Sequence, residues 1–291
     1  MDIRRISFTS LGLVVLDEIQ FPHREPLTDV VGGSGAHPRC SIVSSWCSQL
    51  APKSFKYTTP ILSIEDSSLA NTALLHSKAF HFLETPQTIG ARVSALLARR
   101  ADAGIRERPL IIWEPAPLSC KPENLQACLD AVPLLDVFSP NHLELLALYG
   151  ESAPATVDNS QIEDLAARFL QRGVGPDGNG TVIVRAGECG CVVSTREIVP
   201  TWLPPFYESR DDKVVDPTGA GNAFLGAYAV GYLETGSVIE AACYGSVGAS
   251  FAIEQVGMPH KSIDGDEELW NGVNVLSRLR EYTSRMTRSA G

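Results

Sequence analysis

Apolar residues recur along this chain in two periods that alternate with each other. Short apolar runs at Tyr57 to Ile64, Ala79 to Leu83, Leu110 to Trp113, Val137 to Ser139 and Thr181 to Arg185 predict strands buried on both faces. Between them, Thr88 to Ala103, broken at Gly104, and Pro122 to Ala131, with Pro122 in its first turn, predict helices. Asn141 to Tyr149 carries Leu143, Leu145, Leu146 and Leu148 before the stop at Gly150. In Gln161 to Gln171, Leu165, Ala166, Phe169 and Leu170 recur at helical spacing. Gly219 to Leu233, Ser237 to Glu254 and Asp266 to Arg285 read as three closing helices. Ile6 to Leu16, containing Gly12, predicts an opening strand that stops near Asp17. Strands alternating with helices imply an α/β fold: a mostly parallel central sheet covered by helices on both faces, with ligands gathering at the C-terminal ends of the strands. At 291 residues, one domain spanning 1–291 is expected.

Charge and cysteine usage narrow the partners. With 24 Lys and Arg against 34 Asp and Glu, the net charge of −10 argues against broad binding of nucleic acid or of an anionic membrane. The 7 cysteines are odd in number and form no Cys-x-x-Cys pair, so neither a disulfide framework nor a zinc ribbon is indicated. Cys189 and Cys191 share one face if their segment is a strand, as small buried hydrophobes. No signal-peptide pattern opens the chain, and its most apolar stretch, Ala223 to Leu233, is shorter than the roughly 20 residues of a membrane span. A reducing cytoplasm is the expected compartment.

The most informative stretch is Val214 to Phe224. Asp216 and Pro217 turn the chain after two valines, and Gly219, Ala220 and Gly221 are small enough to let backbone N–H groups approach an anion at the start of a helix. Asn222 follows them. Its amide can orient a hydroxyl but has no useful basicity near neutral pH. Asp216 is an alternative carboxylate, placed before the turn, where a structural or metal-water role competes with that of a base.

The run Asp-Pro-Thr-Gly-Ala-Gly-Asn-Ala-Phe, residues 216 to 224, resembles the signature of the PfkB, or ribokinase-like, family of carbohydrate and nucleoside kinases. That family usually places Asp where this chain has Asn222. The resemblance implies a three-layer ribokinase-like sandwich using ATP and Mg²⁺. Gly219, Ala220 and Gly221, with Thr218 beside them, would hold the transferring phosphoryl group, and Asn222 or Asp216 would stand at the acceptor. Asn141-His142-Leu143-Glu144 is similar to the family's Asn-x-x-Glu element, which implies that Asn141 and Glu144 organise phosphates and the metal, with Glu144 the metal-linked carboxylate. Val184 to Gly190 resembles a strand-turn segment bordering the nucleotide. There Arg185 would meet a phosphate, or else form a surface ion pair, and Gly187 and Gly190 would allow close backbone approach. The segment ending at Gly257 and Met258 resembles a wall of the adenine pocket. Asp17, Gly32 and Gly33 are similar to acceptor-binding positions, although His37 stands near a place where the family often has Asn.

One spacing departs from the family. Only 43 residues separate Ala36 from Phe80, where ribokinase-like chains insert several more strands and helices, so a reduced or absent lid and a shortened acceptor region around residues 37–78 are expected. Because lid strands often build dimers in the family, the oligomeric state is left open. Trp113-Glu114-Pro115 and Phe251 to Gly257 bring the chain nearest to the fungal maintenance-of-killer branch. Competing motifs fail: Gly33-Ser34-Gly35-Ala36-His37-Pro38 is not a dinucleotide fingerprint, no glycine-rich turn runs into Gly-Lys-Ser or Gly-Lys-Thr, and no ordered partners support a serine hydrolase. Two readings therefore stand, an ATP-dependent phosphotransferase acting on a small sugar, polyol or nucleoside hydroxyl, and a catalytically silent nucleotide-binding protein that works through protein partners.

Overall fold

The chain opens with β1 (Phe8–Ser10), β2 (Leu13–Phe21), β3 (Arg24–Gly32) and the short β4 (Leu62–Ser63). Alternation then sets in with β5 (Ala79–Glu84), α1 (Pro86–Asp102), β6 (Leu110–Pro115), α2 (Leu125–Ala131), β7 (Val137–Phe138), α3 (His142–Leu148), α4 (Asn159–Arg172) and β8 (Thr181–Arg185). β9 (Cys191–Ser194) and β10 (Thr201–Leu203) precede two long helices, α5 (Ala220–Thr235) and α6 (Val238–Ala252). Three short strands, β11 (Lys261–Asp264), β12 (Glu267–Trp270) and β13 (Val273–Asn274), and the helix α7 (Val275–Ser289) close the chain. This computed structural model describes residues 8–11, 13–21, 24–32, 62–63, 66–154, 156–208 and 211–289, with side chains described for 8–11 and within 67–287.

The central sheet has the order β1-β5-β6-β7-β8-β9-β10; β1, β5, β6, β7 and β8 pair in parallel, and β9 and β10 are added at one edge by antiparallel pairing. Its two faces follow from strand periodicity, because successive side chains point to opposite sides. Phe80, Phe82, Ile111, Trp113, Phe138, Val182 and Val184 join one buried cluster with residues of α1 to α4. Phe8, Ala79, Ile112, Val137 and Ile183 join a second with residues of α5, α6 and α7. Helices thus cover both faces, the three-layer α/β architecture expected from the sequence.

Two smaller sheets flank this body. β3, β2 and β4 form an antiparallel sheet of their own, leaving the central sheet just beyond Ser10 at the end of β1. Most of the interval 37–78, where a shortened lid region is expected, lies outside the described residues. β11, β12 and β13 form the other.

Several expectations need correction. The opening strand does not run from residue 6 to 16: it ends at Ser10, and β2 continues through Asp17 instead of stopping there. Residues 266–274 are not helical, because left-handed backbone at Gly265 (φ 59°), Asn271 (φ 48°) and Gly272 (φ 75°) turns the chain into hairpins, and only Val275 onward forms the helix. Cys189 sits in a 3-10 turn, so only Cys191 lies on a strand, fully buried. Of the strand expected over Tyr57 to Ile64, Leu62–Ser63 is observed and the rest lies outside the described residues.

Candidate functional site

Strand periodicity also builds the site. On the face toward α5, the inward apolar positions Phe8, Ala79, Ile112, Val137 and Ile183 are each followed two residues later by a polar one: Ser10, His81, Glu114, Ser139 and Arg185. These five lie at or toward the C-terminal ends of neighbouring strands. Ser10 is paired with His81, and the chain of contacts runs on from there. Ser10 Oγ lies 3.0 Å from His81 Nδ1, and His81 Nε2 faces Glu114 Oε2 at 3.2 Å, without the alignment of a full hydrogen bond. Glu114 Oε1 forms an ion pair with Arg185 Nη2 at 2.7 Å, and the same nitrogen donates to the Ser139 carbonyl at 2.9 Å. Ser10, His81 and Glu114 are all buried.

Arg185 therefore sits in a buried ion pair, with its side chain 11% exposed, and the expectation of a surface pair is overturned. A second carboxylate is near: Glu144 Oε2 lies 3.8 Å from Arg185 Nη2. Asn141 and Glu144 cap α3 reciprocally, the Asn141 side chain accepting from the Glu144 N–H at 2.8 Å and Glu144 Oε2 accepting from the Asn141 N–H at 2.7 Å. Two carboxylates on one guanidinium separate in acidity. Burial pushes Glu144 up to about 7, opposed by Arg185 and reinforced by Glu114. Burial disfavours the Glu114 anion too, but Arg185 and His81 together outweigh it and hold Glu114 below the usual carboxylate range.

The anion loop closes the site from the other side. Asp216 is buried, and its Oδ1 accepts from the backbone N–H of Thr218 at 3.1 Å and from the Thr218 hydroxyl, which pins the turn before the helix. Gly219 is the N-cap of α5 at φ 76°, a backbone region in which an L side chain is strained. At Gly221 space is the constraint, since a Cβ there would collide with Arg185 Nη1 and come within 3.9 Å of Glu114 Oε1. The N-terminus of α5, with its free N–H groups and positive dipole end, thus meets a guanidinium whose Nη1 hydrogen bonds to no described residue. Asn222 follows, half-buried, its amide unbonded among the described residues.

Other expected residues fall around this centre. Gly187 (φ 58°) has open space at the side-chain position, whereas a Cβ on Gly190 would strike the backbone of Leu203 and Pro204, so the chain's own packing accounts for that glycine. Gly257 (φ 87°) lies in the turn after α6, with nothing within 4 Å of a Cβ. Asp17 and Gly32 fall on the adjacent strands β2 and β3, where Asp17 pairs with Val30 and Val15 with Gly32. Gly33 and His37 lie outside the described residues. The sequence reading missed Ser10, His81 and Ser139 and assigned Glu114 no role. The usable signal was the polar residue two places after an apolar one in successive predicted strands.

The donor set suits a nucleotide polyphosphate: helix N–H groups and an arginine converge, and the missing Cβ at Gly221 is what admits the guanidinium. For a divalent cation, no group of three or more His, Cys, Asp or Glu side chains is gathered among the described residues. The buried Glu144 could still serve Mg²⁺ through water, since that ion keeps several waters and takes few protein ligands beside phosphates.

A family model described as pfkB family carbohydrate kinase matches residues 52–263. A Schizosaccharomyces pombe protein of uncharacterized function is 29% identical over an alignment 342 positions long, gaps included, covering 95% of this chain and 92% of that one. Saccharomyces cerevisiae Protein MAK32 is 29% identical over 244 residues, 80% of this chain and 65% of its own length. Among solved structures, Arabidopsis thaliana ribokinase complexed with ribose and ATP superposes with a TM-score of 0.58 at 17% identity, covering 94% of this chain and 98% of the ribokinase, a likeness of fold. Signature loop, strand order and the matched span agree: this chain belongs to the PfkB family of carbohydrate kinases.

Proposed function

We propose that this chain is an ATP-dependent phosphotransferase acting on a hydroxyl of a small sugar, polyol or nucleoside, with magnesium as its metal. The observation that carries this reading is the convergence of Arg185 on the N-terminus of α5 beside Gly221. In the proposed site, backbone N–H groups of Gly219, Ala220 and Gly221 and the Arg185 guanidinium bind the terminal phosphate oxygens, and Thr218 and Asp216 hold the loop in shape. Asn141 and Glu144 order the metal's water shell, Gly187 and Gly257 line the nucleotide, and Asp17, Gly32 and Gly33 meet the acceptor. Magnesium, when bound, would offset the negative charge of the phosphates. Phosphoryl transfer depends mostly on positioning and electrostatic stabilisation, which these groups supply. The relatives' family and the solved ribokinase bound to ribose and ATP support the small-molecule hydroxyl acceptor and the nucleotide. A single domain with a reduced acceptor lid completes the proposal.

A second reading rests on Asn222. Without a base, a nucleotide can be held and never used, as in a silent binding protein acting through partners. An ADP-release assay over a panel of sugars, polyols and nucleosides separates the two. The phosphotransferase reading expects turnover with at least one hydroxyl compound, and Asn222→Asp should raise it by about 10²- to 10⁴-fold, the usual range for a restored general base. ATP binding with no transfer by either form would overturn it in favour of the silent protein.

A further inference from the structure

Glu114 is a buried carboxylate that the anion-binding scheme does not itself require. We propose that it is a positioning residue for a bound polyphosphate, acting through Arg185, with His81 fixing the carboxylate from behind. The inference rests on the nucleotide reading above and adds a specific device to it. Arg185 has two carboxylates to choose between. Glu114 holds Nη2 at 2.7 Å, while Glu144 stands off at 3.8 Å, with its Oε2 already accepting from the Asn141 N–H. The nearer pair, together with the Ser139 carbonyl at 2.9 Å, leaves Nη1 against Gly221, where the helix N–H groups point. If Glu114 lost its charge, Glu144 would become the only carboxylate within 4 Å among the described residues, and the guanidinium would be drawn toward α3 and away from the α5 terminus.

The contacts behind Glu114 show how its own position is set. His81 Nε2 faces Oε2 at 3.2 Å, and His81 Nδ1 is tied to Ser10 Oγ at 3.0 Å, so the carboxylate is approached by Arg185 on one oxygen and by His81 on the other. All three residues stand on parallel strands of one rigid sheet. A buried ion pair is weak grounds for stability, because desolvation opposes the Coulomb gain. Holding a donor at a fixed point is the more economical reason for keeping this one.

A double-mutant cycle read by titration calorimetry tests the proposal, using ATP with Mg²⁺ and, in parallel, AMP, which lacks the outer phosphates. Arg185→Met should weaken ATP binding on the order of tenfold or more, the range for a hydrogen bond to a charged group, and leave AMP binding unchanged. Glu114→Gln should weaken ATP binding to a similar degree. Added to Arg185→Met, Glu114→Gln should weaken it no further, which a merely structural role would not produce. The proposal is overturned if Glu114→Gln costs as much in the Arg185→Met background as in the unaltered chain, if it costs nothing, or if ATP and AMP weaken together. Failure of the unaltered chain to bind ATP overturns the nucleotide reading as well, which distinguishes the two failures. Should Glu114→Gln not fold, Glu114→Asp, which keeps the charge and withdraws it by one methylene, takes its place in the same cycle.

Discussion

At the residue scale, the two carboxylates that share Arg185 have opposite preferences. Glu144 keeps its proton up to about pH 7 when folded, against an ordinary value of 4.5, because burial disfavours its anion. The folded state therefore binds that proton more tightly than the unfolded chain, and this group's contribution to stability falls as pH rises from about 4.5 to about 7. Glu144→Gln removes the titration and keeps an oxygen to accept from the Asn141 N–H. Relative to the unaltered chain, the variant should gain stability between pH 5 and pH 8 by up to about 3 kcal/mol, read from urea unfolding in a chelator. A constant difference across that range would contradict the placement of Glu144 beside Arg185 and Glu114. The sequence revealed the loop residues 216 to 222 and the Asn141–Glu144 cap, because local backbone chemistry requires those residue types in that order. It did not reveal His81 or the role of Glu114, since their partners lie on other strands and meet only after the sheet forms.

At the element scale, α5 must be held still for its first turn to serve as a binding surface. It packs against α6 at very close range. A Cβ added at Gly248 would lie 2.6 Å from the Ala227 Cβ and 2.9 Å from the Ala223 carbonyl, and one at Gly245 would meet the Phe224 ring. Gly248→Ala should cost about 1–3 kcal/mol by overpacking, and, because backbone lies in the way, it should displace α5 and weaken nucleotide binding as well. Thermal unfolding and calorimetry check both parts; an unchanged melting temperature would contradict the close packing. The end of α6 is fixed in its turn by Glu254, which accepts from the Tyr207 hydroxyl at 2.6 Å and pairs with Arg278 at 2.8 Å, and by Asn271, whose amide reaches the Phe251 carbonyl at 3.0 Å. The helices α1 and α4 were legible from their composition and periodicity, and α5 and α6 from long apolar, glycine- and alanine-rich runs, α5 opening directly after the anion loop. The short strands β9 to β13 were not, because strands of two to four residues carry little pattern of their own and are decided by their neighbours.

For the whole molecule, the parallel sheet and its two helical layers were legible because strand-helix alternation leaves few other ways to bury both faces of each strand. The separate sheet of β2, β3 and β4 was not, since a hairpin that leaves the main sheet reads in sequence as a continuation of its first strand. The candidate site is the end of the sheet where five strands and α5 converge on Arg185. The most direct measurement is calorimetric titration of ATP into the unaltered chain and into Gly221→Ala, whose added methyl would take the space now held by Arg185 Nη1. The unaltered chain is predicted to bind ATP and the variant to bind it more weakly by on the order of tenfold or more, with its fold intact. No binding by the unaltered chain, or equal binding by both, would contradict the account.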